Sequence, residues 1–307
     1  MIISASRRTD IPAYYADWFF KRLQAGFVYV RNPFNPRQIS EIPLTPDVVD
    51  GYVFWTKNPA PMMNWMHLLE NTPYYFQFTL TPYGSDIEKN LPSKQDVLIP
   101  TFQQLSRIVG KERMVWRYDP ILLSDQYTVE FHKRRFCEFC EKLAGYTEKC
   151  TISFLDMYRD IKKNLTSHGI TVPNEQQMLE LAKFMGQVAK EHGLQIDTCA
   201  EEIDLSRYGI DHAHCIDQER LERIGGYKLE IAADKNQRLL CGCAASIDIG
   251  TYNTCQNGCV YCYANHSAKL IEQNQLQYDP TAPLLCGKMG EGDIVKRREV
   301  ASYRVNQ

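Results

Sequence analysis

Residues 51–84 read GYVFWTKNPAPMMNWMHLLENTPYYFQFTLTPYG. Short runs of β-branched and aromatic residues stand at both ends of this segment, at 51–55 and 74–80, and they predict two strands. Similar runs predict four more strands, at 2–5, 113–118, 151–155 and 194–198. Several of the stretches between them have the pattern of helices, and strands that alternate with helices indicate a parallel sheet with helices outside it.

The number of strand–helix units bears on the architecture. Six units predict an α/β fold, and more specifically a complete or partial (β/α) TIM-like barrel with the cysteine-rich C-terminal segment at its mouth. A doubly wound open sheet is the alternative, because hydrophobic periodicity does not report whether a sheet closes.

Two helices carry clear boundary signals. Asn174 is a predicted N-cap, Gln177 completes a capping box, and Gly193 stands where that helix should end. A second helix is predicted from about Ala13 to Ala25, with a proline before it and a glycine after it.

The overall composition is that of an ordinary globular protein. Apolar residues make up 44% and charged residues 23% of the 307-residue chain, and the formal net charge is -2. This balance gives no general affinity for nucleic acid or anionic membranes, although a locally basic site would still accommodate a nucleic acid. The N-terminal sequence MIISASRRTDIP has neither the pattern of a signal peptide nor that of a membrane span, so the expected location is the cytoplasm.

The cysteines are concentrated late in the chain. Seven of the eleven fall between residues 199 and 262. A reducing compartment disfavours a disulfide scaffold, so this crowding predicts metal or cluster ligation. Three of them, Cys255, Cys259 and Cys262, lie within eight positions, and one such loop can supply three corners of a [4Fe-4S] cubane. The fourth iron is then open to a substrate or cofactor.

The same three cysteines are also compatible with two other functions. His266 follows Cys262 by four residues, and with it the three thiols would make a Cys3His zinc site. The loop would also suit an iron–sulfur protein that only transfers electrons.

Four further cysteines, Cys199, Cys215, Cys241 and Cys243, equal in number the ligands of a second, fully thiolate-bound [4Fe-4S] cluster. Gly242 would let both of its neighbours turn toward one metal. His212 and His214 could replace a ligand, and the alternative is that the four are unrelated thiols. The remaining cysteines are predicted to be buried free thiols: Cys137, Cys140, Cys150 and Cys286.

Charged residues follow the predicted strands, at the edge where parallel α/β folds carry their sites. The candidate site residues are Arg7, Arg8, Asp10, Lys57, Arg117, Asp119, Asp156 and Glu201. The alternative is that they are charged only because loops face solvent. The arginines among them could bind a carboxylate or phosphate in a bidentate manner, which favours a small anionic substrate.

The segment CQNGCVYCYAN, residues 255–265, resembles the Cys-x3-Cys-x-aromatic-Cys motif of the radical S-adenosylmethionine (SAM) superfamily. Tyr261 stands in the aromatic position and Tyr263 follows the last cysteine, which makes both candidate cofactor-binding residues. The resemblance implies a [4Fe-4S] cluster whose open iron chelates SAM, reductive cleavage of SAM to a 5′-deoxyadenosyl radical, a (β/α) barrel that is often partial, and a reductant such as ferredoxin or flavodoxin.

Seven segments spread over nearly the whole chain resemble the DUF1848 family, which has no assigned function: SRRTDIPAYY, VRNPFNP, FWTKNP, YYFQFTLTPYG, WRYDPI, TCAEEIDL and SIDIGTYNTCQNGCVYCYAN. The cysteine motif departs from the superfamily in following six strand–helix units instead of the first strand. Either the chain is circularly permuted, with SIDIG as the strand before the loop, or its tail folds back over the barrel mouth. We therefore predict a barrel core over residues 1–198 and an iron–sulfur segment over 199–307 that completes or caps it.

Overall fold

The computed structural model describes residues 1–238 and 240–305. Its strands are β1 (Ile2–Ala5), β2 (Phe27–Arg31), β3 (Gln38–Pro43), β4 (Gly51–Thr56), β5 (Tyr74–Thr79), β6 (Met114–Ile121), β7 (Lys149–Phe154), β8 (Gln195–Thr198), β9 (Asp211–His212), β10 (Ser246–Asp248) and β11 (Ile294–Arg297). Its α-helices are α1 (Ile11–Tyr14), α2 (Ala16–Ala25), α3 (Ile99–Val109), α4 (Val129–Leu143), α5 (Lys162–Ser167), α6 (Glu175–Glu191), α7 (Gln218–Gly225) and α8 (Ala268–Leu276).

Eight strands form one parallel sheet in the order β10-β1-β4-β5-β6-β7-β8-β9. The six predicted strands are all present, as β1, β4, β5, β6, β7 and β8, so the predicted α/β fold is confirmed. From β1 to β9 each new strand is added on the same side of the previous one. Strand β10 is then added on the opposite side of β1, at the other edge of the sheet.

The two edge strands of this sheet, β9 and β10, do not pair with each other in the described part of the chain. A closed barrel is therefore not observed, and the sheet is open. Both edge strands come from beyond residue 198, so the cysteine-rich segment contributes to the same sheet as the strands before it.

Each face of the sheet packs against a different part of the chain. Phe54 and Phe76 belong to the larger core, which includes the buried faces of the helices. The adjacent positions on the same strands, Val53 and Tyr75, pack instead with residues from 213–244. Side chains alternate along a strand, so helices α1–α4 and α6 cover one face, and the cysteine-rich segment, with α7, covers part of the other.

The helix boundaries agree with the sequence at α6 and differ at the N-terminus. Asn174 and Gln177 form the predicted capping box. The helix predicted from Ala13 to Ala25 is interrupted at Tyr15, which separates α1 from α2 and whose hydroxyl donates a hydrogen bond to the carbonyl of Thr254 at 2.7 Å. No helix in the described residues combines the length and the apolar character that crossing a bilayer needs.

A second, smaller sheet was not predicted. It consists of the antiparallel pair β2 and β3, with β11 parallel to β3. The short strands β9 and β10 were not among the predicted strands either, although SIDIG was recognised as a possible strand before the cysteine loop.

His132 gives the fold a testable dependence on pH. The side chain is fully buried; its Nδ1 accepts from the Tyr118 hydroxyl and its Nε2 donates to the Leu122 carbonyl, each at 2.8 Å. Burial lowers the pKa of His132 to about 4, although the hydrogen bond to Leu122 opposes the shift. The neutral form is therefore the one that the fold accommodates.

Because its pKa is lower in the folded than in the unfolded chain, His132 stabilises the fold above about pH 6.5, and this contribution is lost as the pH falls toward 4. We expect the wild type to lose about 3 kcal/mol more unfolding free energy between pH 7 and pH 4 than His132→Gln. Urea unfolding of both proteins at several pH values measures this difference. Equal pH dependence of the two proteins would contradict the assignment.

Candidate metal centre and its pocket

A pocket of about 460 Å³ lies at the carboxyl ends of the parallel strands. Its volume is in the range of small-molecule sites. All seven of the late cysteines line it: Cys199, Cys215, Cys241, Cys243, Cys255, Cys259 and Cys262. Seven of the eight predicted site residues line it as well: Arg7, Arg8, Asp10, Lys57, Arg117, Asp119 and Asp156. Residues that are far apart in sequence are thus brought to one cavity by the strand order.

The loop with Cys255, Cys259 and Cys262, here called the three-cysteine loop, begins a few residues after β10. It is held against the segment that follows β5: Glu88 and Cys259 form an antiparallel bridge, and the Val260 amide donates to the Ile87 carbonyl at 3.0 Å. A neighbouring backbone segment therefore fixes the conformation of this loop.

Asp10 joins three segments around the loop. It caps the start of α1 by accepting from the Ala13 amide, and it also accepts from the Lys57 amide at 2.8 Å and from Asn257 Nδ2 at 3.2 Å. Burial raises the pKa of Asp10, and these hydrogen bonds oppose the shift. Its contacts are those of a positioning residue.

A buried charge cluster lies beside Cys259. The Glu88 carboxylate is fully buried and accepts from Lys57 Nζ at 2.7 Å, from Thr81 Oγ1 at 2.8 Å and from Lys94. Burial alone would raise the pKa of Glu88, but the two lysines outweigh it and lower the pKa to about 2. Glu88 therefore remains ionised next to the loop.

Tyr261 belongs to the same cluster, whereas Tyr263 lies at the pocket entrance. The Tyr261 hydroxyl donates to Glu88 and accepts from Lys57 Nζ at 2.9 Å. Tyr263 is 46% exposed, and its hydroxyl donates to the Arg7 carbonyl at 3.0 Å. Both line the pocket, so both remain candidates for contact with a cofactor.

Arg117 is buried and its donors are engaged. Its Nε and Nη2 both donate to Asp119 Oδ2, and its Nη1 donates to Gln77 Oε1 at 3.3 Å and to Cys215 Sγ at 3.1 Å. These contacts leave Arg117 less suited to binding a substrate anion than its sequence position indicates.

The guanidinium of Arg7 makes fewer hydrogen bonds than that of Arg117 in the described residues. Its Nη2 is buried without a hydrogen-bond partner among the described residues, and its guanidinium lies 5.2 Å from the ring centroid of Trp55. The Arg8 side chain contacts the Asp248 carboxylate, the Tyr252 ring and the Gly250 carbonyl. Of the arginines predicted to bind an anion, Arg7 has a buried donor without a partner in the described residues.

The last two predicted site residues lie at the periphery. Asp156 is partly exposed and pairs with Arg238 at 2.6 Å. Glu201 lies behind the pocket wall, where it accepts from Ser153 Oγ at 2.7 Å and from the Phe154 amide at 2.9 Å. Burial raises the pKa of Glu201 to about 7.

Three charged residues of this region were missed in the sequence. Glu88 and Lys94 lie well beyond the end of β5, and Arg238 lies in the long segment before β10. No local pattern marks them, because their partners are distant in sequence and only the fold brings them together.

The described residues contain no group of three or more His, Cys, Asp or Glu side chains that could hold a metal ion as they stand. His266 is exposed, and its ring packs near Tyr252. Neither a Cys3His zinc site nor a three-cysteine cluster site is therefore assembled in advance in the described residues.

The chemistry of the three-cysteine loop nevertheless fits a [4Fe-4S] cluster. Its three thiols line one pocket, and soft sulfur ligands are what such a cluster requires. Asn265 donates to the Cys255 carbonyl at 2.8 Å, while its Oδ1 is buried and lacks a partner in the described chain. This acceptor is free to take a hydrogen bond from water or from a donor group of a bound ligand.

The four other cysteines, which are predicted to be free thiols, form no disulfide bonds in the described residues. Cys140, Cys150 and Cys286 are buried in the larger core, and Cys137 packs against that core. None of the four lines the pocket.

Comparison with known proteins assigns the family. The chain matches no curated protein. A family model described as a domain of unknown function (DUF1848) matches residues 2–264. The match covers well over half of the chain and includes the whole three-cysteine loop through Cys262. The chain therefore belongs to the DUF1848 family.

Proposed function

We propose that this protein is a radical SAM-type enzyme, in which a [4Fe-4S] cluster on Cys255, Cys259 and Cys262 cleaves SAM reductively and the resulting radical acts on a small anionic substrate. One observation carries the proposal: three thiols from a single short loop line a ligand-sized pocket at the carboxyl edge of a parallel sheet. This is the edge at which α/β enzymes bind their ligands.

The strand order supports the comparison with the superfamily. Strand β10 leads directly to the three-cysteine loop and pairs with β1 at one edge of the sheet. In the spatial order of the sheet β10 is the first strand. The loop therefore follows the first strand of the sheet, although it comes late in the sequence. A circularly permuted partial (β/α) barrel accounts for both facts, and residues 213–244 would then cover its inner face.

The bound cluster would supply the electron and the open iron at which SAM is held. The chain's own residues would do the rest. Burial raises the pKa of Cys259 to about 12, and the positive charges of Lys57 and Lys94 oppose this shift and so favour the thiolate needed for ligation. Asp10 and Glu88 fix the loop against its neighbours, and Arg7 offers a spare donor to an anionic group of the substrate.

The pocket also bears on the electron-transfer alternative. The pocket is lined by charged and aromatic side chains as well as by the thiols; a protein that only passes electrons does not need them, whereas an enzyme uses such groups to hold SAM and a substrate. In our proposal the reductant is a separate protein such as ferredoxin or flavodoxin.

Electron paramagnetic resonance of the anaerobically reconstituted, reduced protein tests this function. We expect a [4Fe-4S] signal that changes when SAM is added, because SAM would occupy the open iron. Chromatography of the same sample should show 5′-deoxyadenosine. A fully loaded cluster that gives neither the spectral change nor this product would contradict the proposal and favour electron transfer.

A further inference from the structure

The second group of cysteines comes together from three separate segments. Cys199 follows β8, Cys215 follows β9, and Cys241 and Cys243 precede β10. The Sγ atoms of Cys199 and Cys215 are 3.4 Å apart. Two thiolates on one tetrahedral metal, with bonds of ~2.3 Å, lie about 3.8 Å apart, so this pair is close to the spacing that a shared metal atom imposes.

The other two thiols are adjacent to this pair. Cys243 Sγ accepts a hydrogen bond from the Ile216 amide at 3.4 Å, and the Ala244 amide donates to the Ile216 carbonyl at 3.0 Å. The segment with Cys241 and Cys243 thus runs alongside Cys215. Both Cys215 and Cys243 are almost fully buried.

Three arginines surround these thiols. Arg117, only 3% exposed, donates to Cys215 Sγ at 3.1 Å, and Arg238 Nη2 lies 3.7 Å from Cys199 Sγ. Arg7 lines the same pocket as Cys215 and Cys243. Asp119 pairs with Arg117 and Asp156 with Arg238, but Arg7 makes no side-chain ion pair within the described residues.

A buried guanidinium without a carboxylate partner is costly, so Arg7 requires other negative charge. Neutral thiols do not provide it. Four thiolates around a zinc ion or an oxidised [4Fe-4S] core do, because they exceed the metal charge by about two.

We propose that Cys199, Cys215, Cys241 and Cys243 bind a thiolate-ligated metal centre in the same pocket as the three-cysteine loop, with its negative charge balanced by Arg7, Arg117 and Arg238. The four thiols are not yet grouped around one ion position, so metal binding would draw them together. The centre is either a single zinc ion, which the spacing of Cys199 and Cys215 suits, or the second [4Fe-4S] cluster expected from the sequence. This inference does not depend on SAM chemistry at the other loop.

Metal analysis of a variant that lacks the first site tests the proposal. Cys255, Cys259 and Cys262 are replaced together by alanine, and the protein is loaded anaerobically with iron and sulfide or, separately, with zinc. After gel filtration we expect one of the two samples to retain stoichiometric metal, about one zinc or about four irons per chain. Adding Cys241→Ser and Cys243→Ser should remove that metal, whereas adding Cys137→Ser should not.

Cobalt(II) gives a second readout. Bound to the same triple-alanine variant, it should show the intense visible absorption of a tetrahedral thiolate site, and the two serine substitutions should abolish it. A triple-alanine variant that remains folded by circular dichroism, and yet retains neither zinc, iron nor cobalt, would overturn the proposal. So would metal that survives the serine substitutions at 241 and 243.

Discussion

Replacing Cys259 by alanine is expected to reduce the formation of 5′-deoxyadenosine from SAM by on the order of 10⁴-fold or more, as the loss of an essential catalytic unit does. Cys259 is the middle cysteine of the three-cysteine loop, and its backbone bridges to Glu88, the partner of Lys57 and Lys94. Without it, two irons of a cubane lack a protein ligand. Chromatography of the reduced, SAM-treated protein measures the product, and iron analysis measures cluster loading.

Cys137→Ala provides the matched control. This cysteine is half-buried on α4 and does not line the pocket, so its loss should leave both iron content and product unchanged. A Cys259→Ala protein that still loads four irons and cleaves SAM at the wild-type rate would show that the loop does not hold the reactive cluster.

Glu88→Gln is expected to lower the free energy of unfolding by about 3–5 kcal/mol, the usual cost of breaking a buried ion pair by removing one partner. The substitution preserves shape but leaves the Lys57 and Lys94 ammonium groups without their shared carboxylate. Because the Glu88 side chain also accepts from Tyr261 of the three-cysteine loop, cluster loading should fall as well. Urea unfolding and iron content after reconstitution measure the two effects.

Lys94→Met separates charge balance from general disruption. It leaves Glu88 paired with Lys57 alone, a balanced pair, so the loss of stability should be much smaller than for Glu88→Gln. If the two variants were equally destabilised, the charge of Glu88 would not be the main stabilising feature of the buried group formed by Glu88, Lys57 and Lys94.

The sequence predicted the parts of the fold that depend on local pattern. The apolar runs at 51–55 and 74–80 became β4 and β5, and the capping residues of α6 are correct, because strand and cap preferences act over a few residues. The β2–β3–β11 sheet and the interruption at Tyr15 depend on contacts with distant segments, and no local signal marks them.

The candidate site, like the fold, could be predicted from the sequence only in part. Cysteine chemistry and the position of charged residues after strands predicted a shared location for the seven thiols, and all of them line one pocket. The sequence could not reveal that Arg117 would be occupied by Asp119 and Cys215, nor that Glu88 would lie against Cys259. Those pairings arise only when the strands are placed side by side.

The parallel sheet can be completed only late in the synthesis of the chain, because its edge strand β10 follows all the other strands of that sheet in the sequence. Strands β1 to β8 leave the ribosome first, but the edge of β1 that pairs with Ser246–Asp248 has no partner until some 240 further residues have been translated. An unpaired strand edge invites association with other chains. We therefore expect nascent chains to depend on chaperones until late in translation, and the thiols of both proposed centres to become available for metal only when the sheet is nearly whole.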